Sequence, residues 1–153
     1  MAAAVTTPTP TPADPVAVDD FLCLALYRAS RAMTAAYRPL LADLGLTYPQ
    51  YLVMALLWED GSLTVGQIGR RLSLDSSTLS PLLKRVEALG LVVRHRSPSD
   101  ERSVDVELTE AGRAMRERAA SIPQAICAAT GMGLDELTEL VGELQGLAGR
   151  LEP

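Results

Sequence analysis

Apolar residues along this chain recur mostly at intervals of three and four, with one stretch where the interval drops to two. Leu22, Leu26, Ala29, Met33 and Ala36 form the first helical series. Asp19 or Asp20 is placed to cap its free backbone N–H groups, and Pro39 is expected to mark its frayed end. GLTYPQYLVMALLWEDG reads as a turn and a second helix over about 49–59, stopped at Gly61. From Thr64, TVGQIGRRLSLDSSTLSPLLKRVEALG gives two further helical patterns separated by a short Ser/Asp-rich break. LVVRHRSPSDERSVDVELT then switches to β-rich alternation, two strands around a tip of Ser, Pro, Asp and Arg. EAGRAMRERAASIPQAICAAT reads as one long helix with a kink at Pro123. Gly131 and Gly133 interrupt it, and Leu134, Leu137, Leu140, Val141, Leu144 and Leu147 stripe a final helix.

These elements predict a mainly α fold with a small β-hairpin (α+β). Two helices at a steep angle followed by a basic hairpin form a winged helix-turn-helix, expected over 48–109. That shape fits DNA, with one helix in the major groove and the hairpin beside the minor groove. The flanking helical segments, 16–47 and 110–153, carry more apolar surface than a small winged core needs. A symmetric homodimer would bury the excess, and a two-fold protein matches a palindromic operator. Residues 1–15, MAAAVTTPTPTPADP, are a Thr/Pro-rich tail too poor in apolar side chains to fold, which leaves one domain over 16–153.

Composition narrows the picture. Hydrophobic residues make up 48% of the 153 but aromatics only 4%, so the core must be Leu, Val and Ala on helices. No apolar run reaches the roughly 18 residues of a membrane span, and the N-terminus lacks a secretory pattern. Two cysteines far apart in sequence make no disulfide framework, so a reducing cytoplasm is the expected compartment. Neither a Gly-rich phosphate loop, a Ser/His/Asp set nor a CxxC pair is present, which argues against an enzyme, a thiol peroxidase included. His95, the only histidine, lies among arginines rather than metal ligands, so neither metal nor cofactor is expected.

The net charge of −5 is the wrong sign for a DNA binder until it is mapped. Residues 64–103 hold seven basic side chains (Arg70, Arg71, Lys84, Arg85, Arg94, Arg96, Arg102) against four acidic ones (Asp75, Glu87, Asp100, Glu101). An acidic body with a local basic surface suits specific binding and limits indiscriminate attachment. Asp75 or Ser76 would cap the second helix of the motif, gathering Ser76, Ser77, Thr78 and Ser80 at its start, where N–H groups and hydroxyls suit phosphates and base edges. Lys84 and Arg85 follow two turns on, within reach of backbone or guanine. Pro81 sits inside that helix and is expected to bend it. In the hairpin, Arg94, Arg96 and Arg102 supply charge, and an Asp100–Arg102 hydrogen bond would stiffen the guanidinium for minor-groove insertion.

The order of helices, the wing DERSVDVELTEAG and the flanking helices resemble the MarR family of dimeric bacterial repressors over about residues 18–151. Members sense different signals, so the input must come from other residues. Cys23, in the first turn of its helix where the dipole favours an anion, is the candidate, and Phe21, Leu22 and Leu26 beside it favour an organic partner. The plain alternative is a small core residue. Tyr27 is one turn away. Tyr37 lies near the same helical face but about 21 Å along a straight helix, so only an antiparallel partner helix could bring it to Cys23, with Tyr48 nearby. Phenol hydroxyls donating to sulfur would stabilise a thiolate and orient a peroxide.

FLCLALYRASRAMTAAYRPLL and LGLTYPQYLVMALLWE further resemble the signature of one MarR subgroup, the organic hydroperoxide resistance regulators (OhrR). The resemblance implies that Cys23 reacts with peroxide and that hydroxyls of Tyr37 and Tyr48 bond its sulfur across the dimer, with Tyr27 at the same site. It also implies a role for Cys127, which matches the second cysteine of one branch: Cys23 becomes a sulfenic acid and then an intersubunit disulfide with Cys127. The implied protein is a repressor whose reduced homodimer binds double-stranded DNA and whose oxidation by organic hydroperoxide releases it. A repressor released by a small phenolic ligand, with idle cysteines, is the alternative.

Overall fold

The computed structural model describes residues 16–152; the stretch expected to be a low-complexity tail lies outside the described residues. The chain divides into two units, one ending at Thr34 and one beginning at Ala35. In the first, a 3-10 turn, Val18–Asp20, precedes α1 (Leu22–Ala42). The two aspartates lie in that turn rather than at the cap, and Asp19 pairs with Arg28 at 3.0 Å, so α1 starts later than their positions suggested. Within 16–34, Val16, Val18, Phe21, Leu22, Tyr27 and Met33 are all exposed.

The second unit opens on the rest of α1, which continues through Pro39 instead of fraying there. The proline ring is exposed while Leu41, two residues on, is buried. Burial of that last turn outweighs the single hydrogen bond that proline removes. α2 (Tyr48–Asp60) starts at a reciprocal cap: Thr47 accepts from the Gln50 N–H and donates its own N–H to the Gln50 side chain. The same device, Thr64 with Gln67, starts α3 (Val65–Leu72). Asp75 caps α4 (Ser76–Ala88) by accepting from the Thr78 N–H at 2.8 Å. The period-two stretch forms β2 (Val92–Arg96) and β3 (Val104–Leu108). A two-residue strand that the sequence pattern did not predict, β1 (Leu63–Thr64), pairs with β3, giving an antiparallel sheet in the order β1-β3-β2. Val53, Met54 and Leu57 from α2, Ile68 from α3, Leu79, Leu83 and Val86 from α4 and Val92 and Val106 from the sheet fill one core.

The predicted long helix is two. α5 (Glu110–Ala119) ends before Ser121, and α6 (Ile122–Thr130) begins with Pro123 in its first turn. There the missing N–H would have had no intrahelical partner, so proline starts a helix rather than kinking one. α7 (Leu134–Leu151) has no buried residue, and Leu134, Leu140, Val141, Leu144 and Leu151 are exposed. Among the described residues no helix is long and apolar enough to cross a membrane.

One junction fixes how these pieces meet. The first turn of α5 passes so close to the start of the wing that a Cβ on Gly112 would collide with the Leu91 carbonyl oxygen. The Trp58 indole donates to the Gly112 carbonyl at 2.9 Å, and the Thr109 hydroxyl, which caps α5, donates to Gly90 at 2.6 Å. Gly112→Ala should therefore lower stability by about 1–3 kcal/mol, the usual cost of forcing atoms into a filled site. Trp58→Phe should cost ~1 kcal/mol by removing that second hydrogen bond to a carbonyl already inside α5. Urea titrations of both variants test this; a midpoint unchanged in Gly112→Ala would contradict the close approach.

Candidate functional site

On α4 the residues singled out from sequence share an exposed side. Ser77, Ser80, Pro81 and Lys84 follow helical spacing on the face opposite the buried Leu79, Leu82, Leu83 and Val86; Ser76, Thr78 and Arg85 are exposed as well. Pro81 interrupts the hydrogen-bond ladder on this outward face, and α4 is one helix through it. The Ser77 hydroxyl donates to Asp75 at 2.6 Å. That bond, followed by the Thr78 N–H, holds the Asp75 carboxyl below the usual carboxylate range, so the cap is charged and the hydroxyl proton of Ser77 is engaged.

The wing holds two surprises. Arg94 lies on the same strand face as buried Val92, turned toward the helices, and its guanidinium binds Glu87 of α4 at 2.8 and 3.0 Å. The guanidinium is held by Glu87 with 24% of the side chain exposed, where the sequence alone suggested a free cation. Arg96 and Arg102 are exposed. The expected Asp100–Arg102 side-chain pair is also absent: Asp100 accepts from the Arg102 backbone N–H and from the Ser103 hydroxyl, each at 3.0 Å. A carboxylate two residues before an N–H closes a local turn, and this geometry takes up both oxygens. Asp100 thus shapes the tip while leaving the Arg102 side chain outside the turn.

The sulfur chemistry is divided between the units. Cys23 is exposed, the second residue of α1, where backbone N–H groups have no intrahelical acceptor. One turn on, the Tyr27 hydroxyl accepts from Arg31 at 3.0 Å, with the guanidinium 5.6 Å from the ring centroid. In the second unit, Tyr37 and Tyr48 pack at 4.8 Å between ring centroids, and Tyr37 and Tyr51 at 5.6 Å. Burial first, then proximity to Tyr48 and Tyr51, raises the Tyr37 pKa; burial and Tyr48 raise that of Tyr51. Both therefore stay protonated donors at neutral pH. The ladder continues from Tyr51 to Trp58 at 6.2 Å. Sequence reasoning missed Tyr51 and Trp58, although their spacing from Tyr48 puts all three on one side of α2. Cys127, half-buried in the last turn of α6, donates its thiol to the Met132 carbonyl at 3.9 Å, and both cysteines are free thiols.

Comparison with known proteins agrees with this fold. The sequence profile of the MarR family matches residues 46–104. The chain is 48% identical to the HTH-type transcriptional regulator TtmR of Methylorubrum extorquens, over 90% of this chain and 71% of that one. It is 46% identical to the organic hydroperoxide resistance transcriptional regulator of Bacillus subtilis, over 88% and 91% respectively. Among solved structures it resembles reduced AbfR bound to DNA, with a TM-score of 0.72 and 37% identity over 86% of this chain and 91% of that one.

His95, on the outer face of β2, gives the wing a measurable titration. Its Nδ1 lies 3.2 Å from the Arg96 carbonyl and its Nε2 3.3 Å from Glu107, with Asp105 opposite across the strands. The Arg96 carbonyl, against some desolvation, and then Glu107 and Asp105 raise its pKa above 6.5. A raised histidine pKa means the ion pair is fully present below 6.5 and is lost as pH rises through the raised value. NMR titration of this single imidazole should give a midpoint above 6.5 that falls in Glu107→Gln. A midpoint at or below 6.5 in the parent protein would contradict the assignment.

Proposed function

The chain belongs to the MarR family of DNA-binding transcriptional regulators, and from that premise we propose that it is a cytoplasmic, homodimeric repressor that senses organic hydroperoxides. The observation that carries this reading is Cys23. It is an exposed thiol in the first turn of α1, in a chain this similar to a regulator named for organic hydroperoxide resistance. In the reduced state α4 enters the major groove of a palindromic operator with Ser76, Ser77, Thr78, Ser80, Lys84 and Arg85. The wing follows the minor groove with Arg96 and Arg102, its tip shaped by Asp100. The similarity to a reduced, DNA-bound regulator supports this assignment. The exposed apolar stripe of α7 and the exposed apolar residues of 16–34 are the surfaces that a second copy would cover.

The proposed switch balances simply. The Cys23 thiolate attacks the outer oxygen of ROOH; the O–O bond breaks, sulfur is oxidised to sulfenic acid, and the alkoxide leaves as alcohol after taking a proton. Tyr27, Tyr37 and Tyr48 are the hydroxyls proposed to hold the thiolate and the peroxide. The Cys127 thiol of the partner subunit then displaces water from the sulfenic acid, forming a disulfide. That bond would move the helices, turn the two winged units apart and release DNA. Cellular thiols would reverse it.

A second reading has one observation in its favour. A groove of about 470 Å³ between α3 and α4, lined by Val65, Gly69, Arg70, Leu74, Asp75 and Leu79, could hold a small phenolic ligand. The two readings separate cleanly. With an operator selected from random duplexes by the reduced protein, one equivalent of cumene hydroperoxide should release wild type but not Cys23→Ser, which should still bind DNA. Cys127→Ser should oxidise at Cys23 yet release incompletely. Peroxide release from Cys23→Ser would defeat the proposal, and release by phenolic compounds in a double Cys→Ala variant would favour the ligand reading.

A further inference from the structure

The wing is joined to α4 by an unusual contact. Among the described residues β2 is an edge strand, paired only with β3, so one side of its backbone has no strand neighbour. The Glu87 carboxylate fills that gap: one oxygen accepts the Arg94 backbone N–H at 3.0 Å, and the other accepts Nε and Nη2 of the same residue at 3.0 and 2.8 Å. A single carboxylate thus holds both backbone and side chain of the middle residue of β2. Both partners are partly sheltered, with 24% of the Arg94 side chain and 36% of the Glu87 side chain exposed. Hydrogen bonds from Arg94 also keep the Glu87 carboxyl below its ordinary range, so it is charged at neutral pH.

The position of this contact matters more than its strength. Glu87 lies in the last turn of α4, whose first turn carries the proposed base-reading residues; Arg94 lies two residues before the strand gives way to the wing tip. We infer that Glu87 and Arg94 are positioning residues for operator recognition, a clamp that sets the wing at a fixed angle to α4 so that both reach their grooves together. Arg94 then serves DNA binding without touching DNA. Its charge is neutralised by Glu87, so it should displace no counterion from phosphate. This rests on the reading of α4 and the wing as the DNA-contacting elements.

The clamp predicts an effect of unexpected sign. Removing a negative charge beside a DNA-binding face ordinarily tightens binding. Here Glu87→Gln should weaken binding to the selected operator about tenfold while leaving affinity for a random-sequence duplex unchanged or tighter. Arg94→Met should weaken operator binding similarly, with an unchanged slope of log Kd against log salt. The double variant should be no worse than either single one, because each acts through the other. Arg94→Lys keeps the charge but cannot reproduce the three bonds, and should fail to restore affinity; being conservative, it also decides the matter if Arg94→Met does not fold. Tighter operator binding in Glu87→Gln, full affinity in Arg94→Lys, or a salt slope lowered by about 0.9 in Arg94→Met, one phosphate contact, would overturn the clamp. Lys84→Ala and Arg102→Ala serve as comparators. If they too leave operator binding untouched, the assignment of the DNA face itself fails; if they weaken it while Glu87→Gln does not, only the clamp fails.

Discussion

The architecture of the second unit depends on the close approach at Gly112. α5 can lie against the root of the wing only because this position carries no side chain, and the carbonyl it presents is taken by the Trp58 indole. Through that one hydrogen bond α2 holds α5. Through the Thr109 hydroxyl and N–H, the start of α5 holds the turn that leads into β2. The Glu87–Arg94 contact then fixes the middle of the same strand to α4. The wing is therefore constrained at both its root and its middle. A small sheet of three strands, one of them only two residues long, would otherwise have little to orient it.

The residues that hold the wing also adjoin the tyrosines. Trp58 meets Tyr51 edge-on, Tyr51 packs on Tyr37, and Tyr37 on Tyr48. Aromatic contacts thus run without a gap from the end of α1 to the carbonyl of Gly112 at the root of the wing. The two cysteines lie in different settings. Cys23 is exposed at a helix start, among unpaired N–H donors, whereas Cys127 is half-buried in the last turn of its helix with its thiol donating to a carbonyl. An incoming peroxide can reach the exposed thiol more readily than the half-buried one. This asymmetry supports the proposed order, with Cys23 attacking peroxide and Cys127 resolving.

Much of this was legible in the chain. The change from helical spacing to alternation at Leu91 marked the wing, and Asp75 marked the start of α4 by its side chain; the Thr47 and Thr64 caps, each with Gln three residues on, were present in the sequence but not used. The two misread prolines show where local rules stop. Pro39 lies in a helix whose last turn buries Leu41, and packing prevails; Pro123 follows a break and opens a helix instead. Arg94 was read as a DNA contact from its charge alone. Alternation with buried Val92 places it on the helix-facing side, a signal that was available. The Asp100 turn was also available, since a carboxylate finds an N–H two residues on more readily than a long, mobile guanidinium. β1 was not legible, because two residues carry no period. That Tyr37 and Tyr48 lie together followed from the resemblance rather than from spacing, because they belong to different helices and residue spacing alone does not say which helices pack.

The central claim is that oxidation joins Cys23 of one subunit to Cys127 of the other. The most direct measurement is a non-reducing gel of the protein after one equivalent of cumene hydroperoxide, with mass spectrometry of the proteolysed product. The account predicts a band of doubled mass, reversed by dithiothreitol, containing the Cys23 peptide linked to the Cys127 peptide. Full release of operator DNA by peroxide without any such linked peptide would contradict it.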